Sequence, residues 1–438
     1  MKRILLTVML LLIVATGYSK GPKYIFYFIG DGMGPSHVLG TELYLGELQG
    51  TIGRPQKLCF TQFPESAFVT TYSATNGVTD SAASGTALST GNKSFNKAIG
   101  VGKDSTAVYS VAEDLAESGM VIGVATSVPI NHATPSAFYA HNINRNNYDD
   151  IAPWMLDAKY DFYAGGDVYG SSEARNSVYS KAEAQGYTVA RGYTDYLTKA
   201  DNAKKMMLYQ KNIATELPYA INRTKDDLTL AQITAAGIDF LEGKSKKGFF
   251  MMIEGGKIDY AAHNDDGATV FQEVLDFDAA ITVAYEFYKK HKDETLIIVT
   301  ADHETGGLVL GYRGDYTLNL KALSSQKVSV EKMIEILQAE KETTWERVEQ
   351  LVKENIGVGV RNKKDAQERV TIDYNLAKEI AYNAVYDLNR SAALSWASGN
   401  HSGTFVPLFA IGKGAEKFNG VIDNTDIPNI IRSLKGVK

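Results

Sequence analysis

Short apolar runs, each about one strand long and separated by stretches of helical spacing, constrain this chain most. Lys23 to Ile29 is an aromatic-aliphatic run that reads as a buried strand. Val108 to Ser118 has helical periodicity, Gly119 stops it, and Met120 to Val128 reads as the next strand. Gly248 to Ile253, Thr295 to Thr300 and Val406 to Ile411 are further short strands, and Phe271 to Lys290 is a helix with apolar residues at about helical spacing. Strands alternating with helices imply an α/β fold: a three-layer sandwich with a mostly parallel central sheet and helices on both faces. In such a sheet the chemistry gathers beyond the carboxyl ends of the strands.

Two stretches break the rhythm. Tyr148 to Leu230 is rich in tyrosine, asparagine and lysine and shows few clear strands. Leu318 to Ser395 is charged and mainly helical, which reads as an insertion over the site or, equally, as a dimerisation surface. With 438 residues, 44% of them hydrophobic, the chain can bury a large core: one big domain with insertions, or two domains.

Met1 to Ser19 reads as a signal peptide, with Lys2 and Arg3 ahead of the apolar stretch Ile4 to Ala15 and small residues near Ser19. That stretch is short for a membrane-spanning helix. A periplasmic or secreted bacterial protein, with no stable membrane insertion, is expected. The net charge of −6 argues against a nucleic-acid-binding surface. Cys59 is the only cysteine, so the chain forms no internal disulfide and any metal site must use histidine and oxygen.

Metal-binding residue types gather at the predicted strand ends. Asp302-His303 follows Thr295 to Thr300, and Glu304-Thr305-Gly306-Gly307 gives the chain room to bend so that both side chains can reach one ion. Asp31 lies between Gly30 and Gly32 after the first strand; the glycine spacing is wrong for a dinucleotide loop, and Asp31 would repel a pyrophosphate. Asp259 and His263 stand at i and i+4, one helical turn apart, behind Glu254-Gly255-Gly256; the spacing suits chelation, or a surface ion pair. His401 lies in a flexible stretch before Val406 to Ile411, where a histidine can equally be solvated, and His132 and Thr134 follow the strand Met120 to Val128. Four of the seven histidines fall in these segments, leaving His37, His141 and His291 for ordinary roles. Nitrogen and oxygen ligation without thiolate suits zinc, and an oxygen-rich remainder suits magnesium.

A nucleophile candidate is Ser81, in Thr79-Asp80-Ser81-Ala82-Ala83-Ser84, which starts a helix of small residues. A helix N-terminus favours an anion there, by about 0.3–1 kcal/mol when exposed. The same segment can also be no more than an N-cap. Arg145 carries a guanidinium whose fork of donors matches phosphate oxygens.

Taken together, Asp31-Gly32-Met33-Gly34, Thr79 to Ser84, His132-Ala133-Thr134-Pro135, Glu254 through His263, Thr300-Ala301-Asp302-His303 and His401-Ser402-Gly403 resemble the alkaline phosphatases, in that family's order and over nearly all of residues 20–438. The resemblance implies one catalytic domain, with 318–395 as a helical insertion or cap. It implies a phosphomonoesterase in which Ser81 is phosphorylated and Arg145 clamps the phosphate, releasing inorganic phosphate and an alcohol. It further implies one zinc on Asp259, His263 and His401, a second on Asp31, Asp302 and His303, and a magnesium on Asp31, Thr134 and Glu254, in a homodimer. His132, near the magnesium, and Tyr260, near the phosphate, are positions where members of the family differ.

Overall fold

The computed structural model describes residues 21–437 apart from 213, 313, 315 and 362–364, so the expected signal peptide lies outside the described residues. Ten strands form one sheet: β1 (Tyr24–Gly30), β2 (Glu65–Thr70), β3 (Val121–Pro129), β4 (Phe162–Gly166), β5 (Tyr187–Arg191), β6 (Lys205–Tyr209), β7 (Phe249–Gly255), β8 (Thr295–Ala301), then Val406–Gly412 and Gly420–Asp423. Across the sheet the order is Gly420–Asp423, β2, Val406–Gly412, β8, β1, β7, β3, β4, β6, β5. Every neighbouring pair is parallel except the two made by Val406–Gly412.

The strands at the centre, β1, β7 and β8, are buried at every position. That follows from layers on both faces, which leave no side of the strand to water. Alternate residues of β1 show the layers directly. Phe26 and Phe28 meet Phe287 and Phe277 of the helix Gly267–Lys290, with ring centroids 5.7 and 5.8 Å apart. Tyr27, pointing the other way, meets Phe138 at 6.0 Å and donates its hydroxyl to the Leu88 carbonyl of the helix Ser81–Thr90.

Register sets the site. Gly30 lies opposite both Gly255 and Ala301, so β1, β7 and β8 finish level with one another. Thr126 of β3 faces Glu254 of β7 in the same row. Val406–Gly412 runs the other way and therefore begins at this edge. Just upstream, His401–Ser402 pairs antiparallel with Glu304–Thr305, His401 opposite Thr305.

Tyr148 to Leu230 departs from the sequence expectation. It supplies three sheet strands, β4, β5 and β6, each five residues long. Glycine, arginine, lysine and tyrosine at their ends hide them in the sequence. The stretch 318–395 is helical as expected, with helices Val330–Ala339, Trp345–Asn355 and Tyr374–Ser391. It reaches the end of the helix Lys257–His263: Tyr382 donates to Asn264 Oδ1, Asn264 donates to Glu331, and Asn389 donates to the Asp265 carbonyl.

Candidate active site

Ser81 opens the helix Ser81–Thr90, and Asp80 caps it, Asp80 Oδ1 accepting from Ala83 N at 3.0 Å. The cap is thus the neighbour's task, and the Ser81 hydroxyl is left for other work. It is 2% exposed and lies 3.2 Å from His303 Nε2. The other oxygen of Asp80 accepts from the Lys97 amide at 3.0 Å and from Arg145 Nη1 at 3.3 Å, tying the guanidinium to the serine's own helix start. Arg145 Nη2 donates to His132 Nε2 at 2.8 Å, and the His132 ring packs edge-on to Tyr260.

The proposed ligands come together in three groups whose donor atoms lie within 4.8 Å of one another: Asp259, His263 and His401; Asp31, Asp302 and His303; and Asp31, His132 and Glu254. Thr134 is fully buried within range of Glu254. In the first group the histidine tautomers are fixed from outside. His263 Nδ1 donates to the Gly399 carbonyl and His401 Nδ1 to the Thr79 carbonyl, both at 2.8 Å, because a carbonyl can only accept. Without a cation the Asp259 carboxylate raises His263 to about 9 and its Nε2 holds a proton; once that proton is displaced, the two Nε2 lone pairs face each other at 3.3 Å, with Asp259 oxygens 3.4 and 3.7 Å away. Lone pairs converge on one point this way when a cation sits between them.

The second and third groups make the same case with carboxylates. Asp302 Oδ1 accepts from the amides of Gly32 and His303, while its Oδ2 is buried with no hydrogen bond. Glu254 Oε2 accepts from the Thr126 hydroxyl, while its Oε1 is buried with none. Both oxygens of Asp31 are buried with none. Burial, then mutual repulsion, raises Asp31 well above the usual carboxylate range. Burial first, with Asp259 nearby, pushes Asp302 up to about 7; burial and Asp302 push Glu254 up to about 8. Two like unit charges 4 Å apart repel by about 4 kcal/mol at an effective dielectric of 20, a large part of the roughly 5–15 kcal/mol that stabilises a folded chain. Ionised together, these carboxylates call for divalent cations, so the residues present fit the metals implied by the sequence. Burial and Arg145 hold His132 down to about 3, so it is a neutral ring at this edge.

Gly32 explains the glycine spacing around Asp31. It adopts φ +73°, and a Cβ there would lie 2.8 Å from Thr305 Oγ1 and 2.9 Å from Asp259 Cα. The glycine lets the Asp31 turn close onto the other two segments.

Sequence reasoning missed Asp80 as the common anchor of Ser81 and Arg145, Thr126 as the partner of Glu254, and Thr305. Thr305 donates to Asp259 Oδ1 and lies 3.2 Å from His303 Nδ1. Asp80 carried a signal in the N-cap preference of aspartate; Thr126 and Thr305 carried none. His37, His141 and His291 stay outside the three groups: His37 Nδ1 accepts from the Gly34 amide, His141 Nδ1 donates to the Gly100 carbonyl, and His291 faces Glu242.

The comparisons with known proteins agree with this geometry. A family model described as alkaline phosphatase matches residues 22–167 and 164–437. Alkaline phosphatase 4 of Bacillus subtilis is 33% identical over 424 residues, covering 93% of this chain and 88% of that protein. Alkaline phosphatase 3 of the same species is 32% identical over 425 residues, covering 94% and 89%. Among solved structures, a cold-active alkaline phosphatase from a psychrophilic Shewanella species superposes with a TM-score of 0.81 at 30% identity, covering 94% of this chain and 99% of that one. The alkaline phosphatase of the Antarctic bacterium TAB5 gives 0.70 at 28% identity, covering 96% and 100%. The chain belongs to the alkaline phosphatase family, whose members are metal-dependent phosphoric monoester hydrolases.

Proposed function

We propose that the chain hydrolyses phosphate monoesters through a phosphoserine at Ser81. The observation that carries this is the Ser81 hydroxyl itself: buried, relieved of capping by Asp80, and in contact with a histidine of one ligand group. Arg145, oriented by Asp80, binds the non-bridging oxygens of the ester and opposes their charge. Ser81 Oγ attacks phosphorus, the bond to the alcohol oxygen breaks and the alcohol leaves with a proton. Water then cleaves the serine-phosphorus ester, returning the hydroxyl and releasing inorganic phosphate. The helix start holds the phosphoryl oxygens near free backbone amides during both displacements.

Asp259, His263 and His401 would hold one zinc, Asp31, Asp302 and His303 a second, and Asp31, Thr134 and Glu254 a magnesium, with His132 beside it. When bound, such cations neutralise phosphate charge and make hydroxyls more acidic. Residues 1–19 would direct export to the periplasm or medium; no described helix is long and apolar enough to cross a membrane. The family resemblance supports a homodimer, with 318–395 as a cap over the site.

The test is Ser81→Ala assayed with an aryl phosphate at alkaline pH, alongside elemental analysis. Nearly all turnover is expected to vanish while metal content stays near that of the parent. Full turnover in the variant would exclude Ser81 as the nucleophile.

A further inference from the structure

We propose that Thr305 is a positioning residue shared by both zinc sites, so that its hydroxyl couples the affinity of one site to that of the other. The inference rests on reading the two ligand triads as metal sites. Thr305 is fully buried and contacts residues of both triads. Its Oγ1 donates to Asp259 Oδ1, a ligand of the first triad, and lies 3.2 Å from Nδ1 of His303, a ligand of the second. Its amide donates to the Gly32 carbonyl at 3.1 Å, next to Asp31. Its backbone pairs with His401 across the short antiparallel ladder.

Proton bookkeeping gives the hydroxyl a direction. A metal-ligating carboxylate accepts only, so the Thr305 hydrogen goes to Asp259. The hydroxyl oxygen then has only lone pairs left for His303, and Nδ1 must be the donor. That fixes His303 in the tautomer whose Nε2 carries the lone pair. The same Nε2 lies 3.3 Å from Asp31 Oδ1, 3.3 Å from Asp302 Oδ2 and 3.2 Å from Ser81 Oγ. One hydroxyl thus orients Asp259 in one site and selects the ligating nitrogen of the other. Outer partners of this kind change metal affinity by about 10–100-fold when removed.

Zinc is titrated into the chelator-stripped full chain by competition with a chromophoric chelator, for the parent, Thr305→Val and Thr305→Ser. Valine keeps the shape and removes the hydroxyl. Thr305→Val is expected to weaken both sites, each by about 10–100-fold, while Thr305→Ser binds as the parent does. Selective 15N labelling of histidine is expected to show His303 as the single Nδ1–H tautomer in the metal-free parent and serine variant, and a mixture in the valine variant. Equal affinity in parent and valine variant, loss at one site alone, or equal loss with serine and valine each overturns the proposal. Failure of the parent to take up two zinc ions overturns the metal-site reading, and the inference with it.

Discussion

His303 is where the two halves of the site meet. Its Nε2 faces Ser81, Asp31 and Asp302, its Nδ1 faces Thr305, and its ring stacks on His401 at 3.6 Å. Replacing it removes a nitrogen from the triad beside Ser81, while Asp259, His263 and His401 all remain. His303→Ala is therefore expected to lower zinc content by about one ion, with a loss of affinity beyond the roughly 10–100-fold typical of an outer partner. Elemental analysis of the purified variant reads the count directly, and an unchanged zinc content would remove His303 from the ligands. The candidate ligands were legible in the sequence because metals demand histidine and carboxylate, which are few and distinctive; four of seven histidines fall in the candidate groups. Thr305 and Thr126 were not, because a hydroxyl that orients a ligand looks in sequence like any other threonine.

At the scale of elements, the short helix start at Asp80-Ser81 performs two tasks with one side chain. Asp80 caps the helix with one oxygen and holds Lys97 N and Arg145 with the other. Asparagine caps about as well as aspartate but carries no charge, so the two tasks separate by substitution. Asp80→Ala is expected to destabilise the protein by about 0.5–2 kcal/mol and to raise KM for an aryl phosphate. Asp80→Asn keeps the cap but sets an amide nitrogen, which only donates, against Lys97 N and Arg145, so it should lose less stability than Asp80→Ala and still raise KM. Thermal unfolding and steady-state kinetics distinguish the outcomes, and unchanged KM in both variants would mean that Arg145 is positioned by other contacts. Long apolar strands such as β1 and β8 were legible because burial on both faces leaves an unbroken run. β4 to β6 were not, since five residues ending in tyrosine, arginine or glycine give too little pattern. Helix starts shifted too: Gly267–Lys290 begins four residues before the apolar spacing does, because Asp266 caps it through Thr269.

At the scale of the whole molecule, the mostly parallel sheet brings segments from residue 31 to residue 401 to one edge, and it buries four carboxylates there, Asp31, Glu254, Asp259 and Asp302. The register that levels β1, β7 and β8 makes this crowding unavoidable. Without cations, Asp302 keeps its proton to about pH 7 and Glu254 to about pH 8, chiefly through burial, whereas in the unfolded chain both lose it near pH 4. Buried His132, held down to about 3, and His303, also lowered by burial, work the other way below about pH 6.5, where the unfolded imidazoles take up protons, so it is between about pH 6.5 and 8 that these groups leave the folded chain with more protons than the unfolded one. Stability of the metal-free protein therefore falls as pH rises from about 6.5 through 8, a window in which carboxylates held ionised by salt bridges would leave it level. Divalent cations replace those protons and favour the ionised carboxylates, so they should remove the decline and add stability that grows with free metal concentration. Thermal unfolding of chelator-stripped protein across this range, with and without added zinc and magnesium, measures both effects. A metal-free melting temperature that rose between about pH 6.5 and 8 would mean that Asp31, Glu254 and Asp302 relieve their repulsion by some other route, and the electrostatic case for cations at this edge would fail.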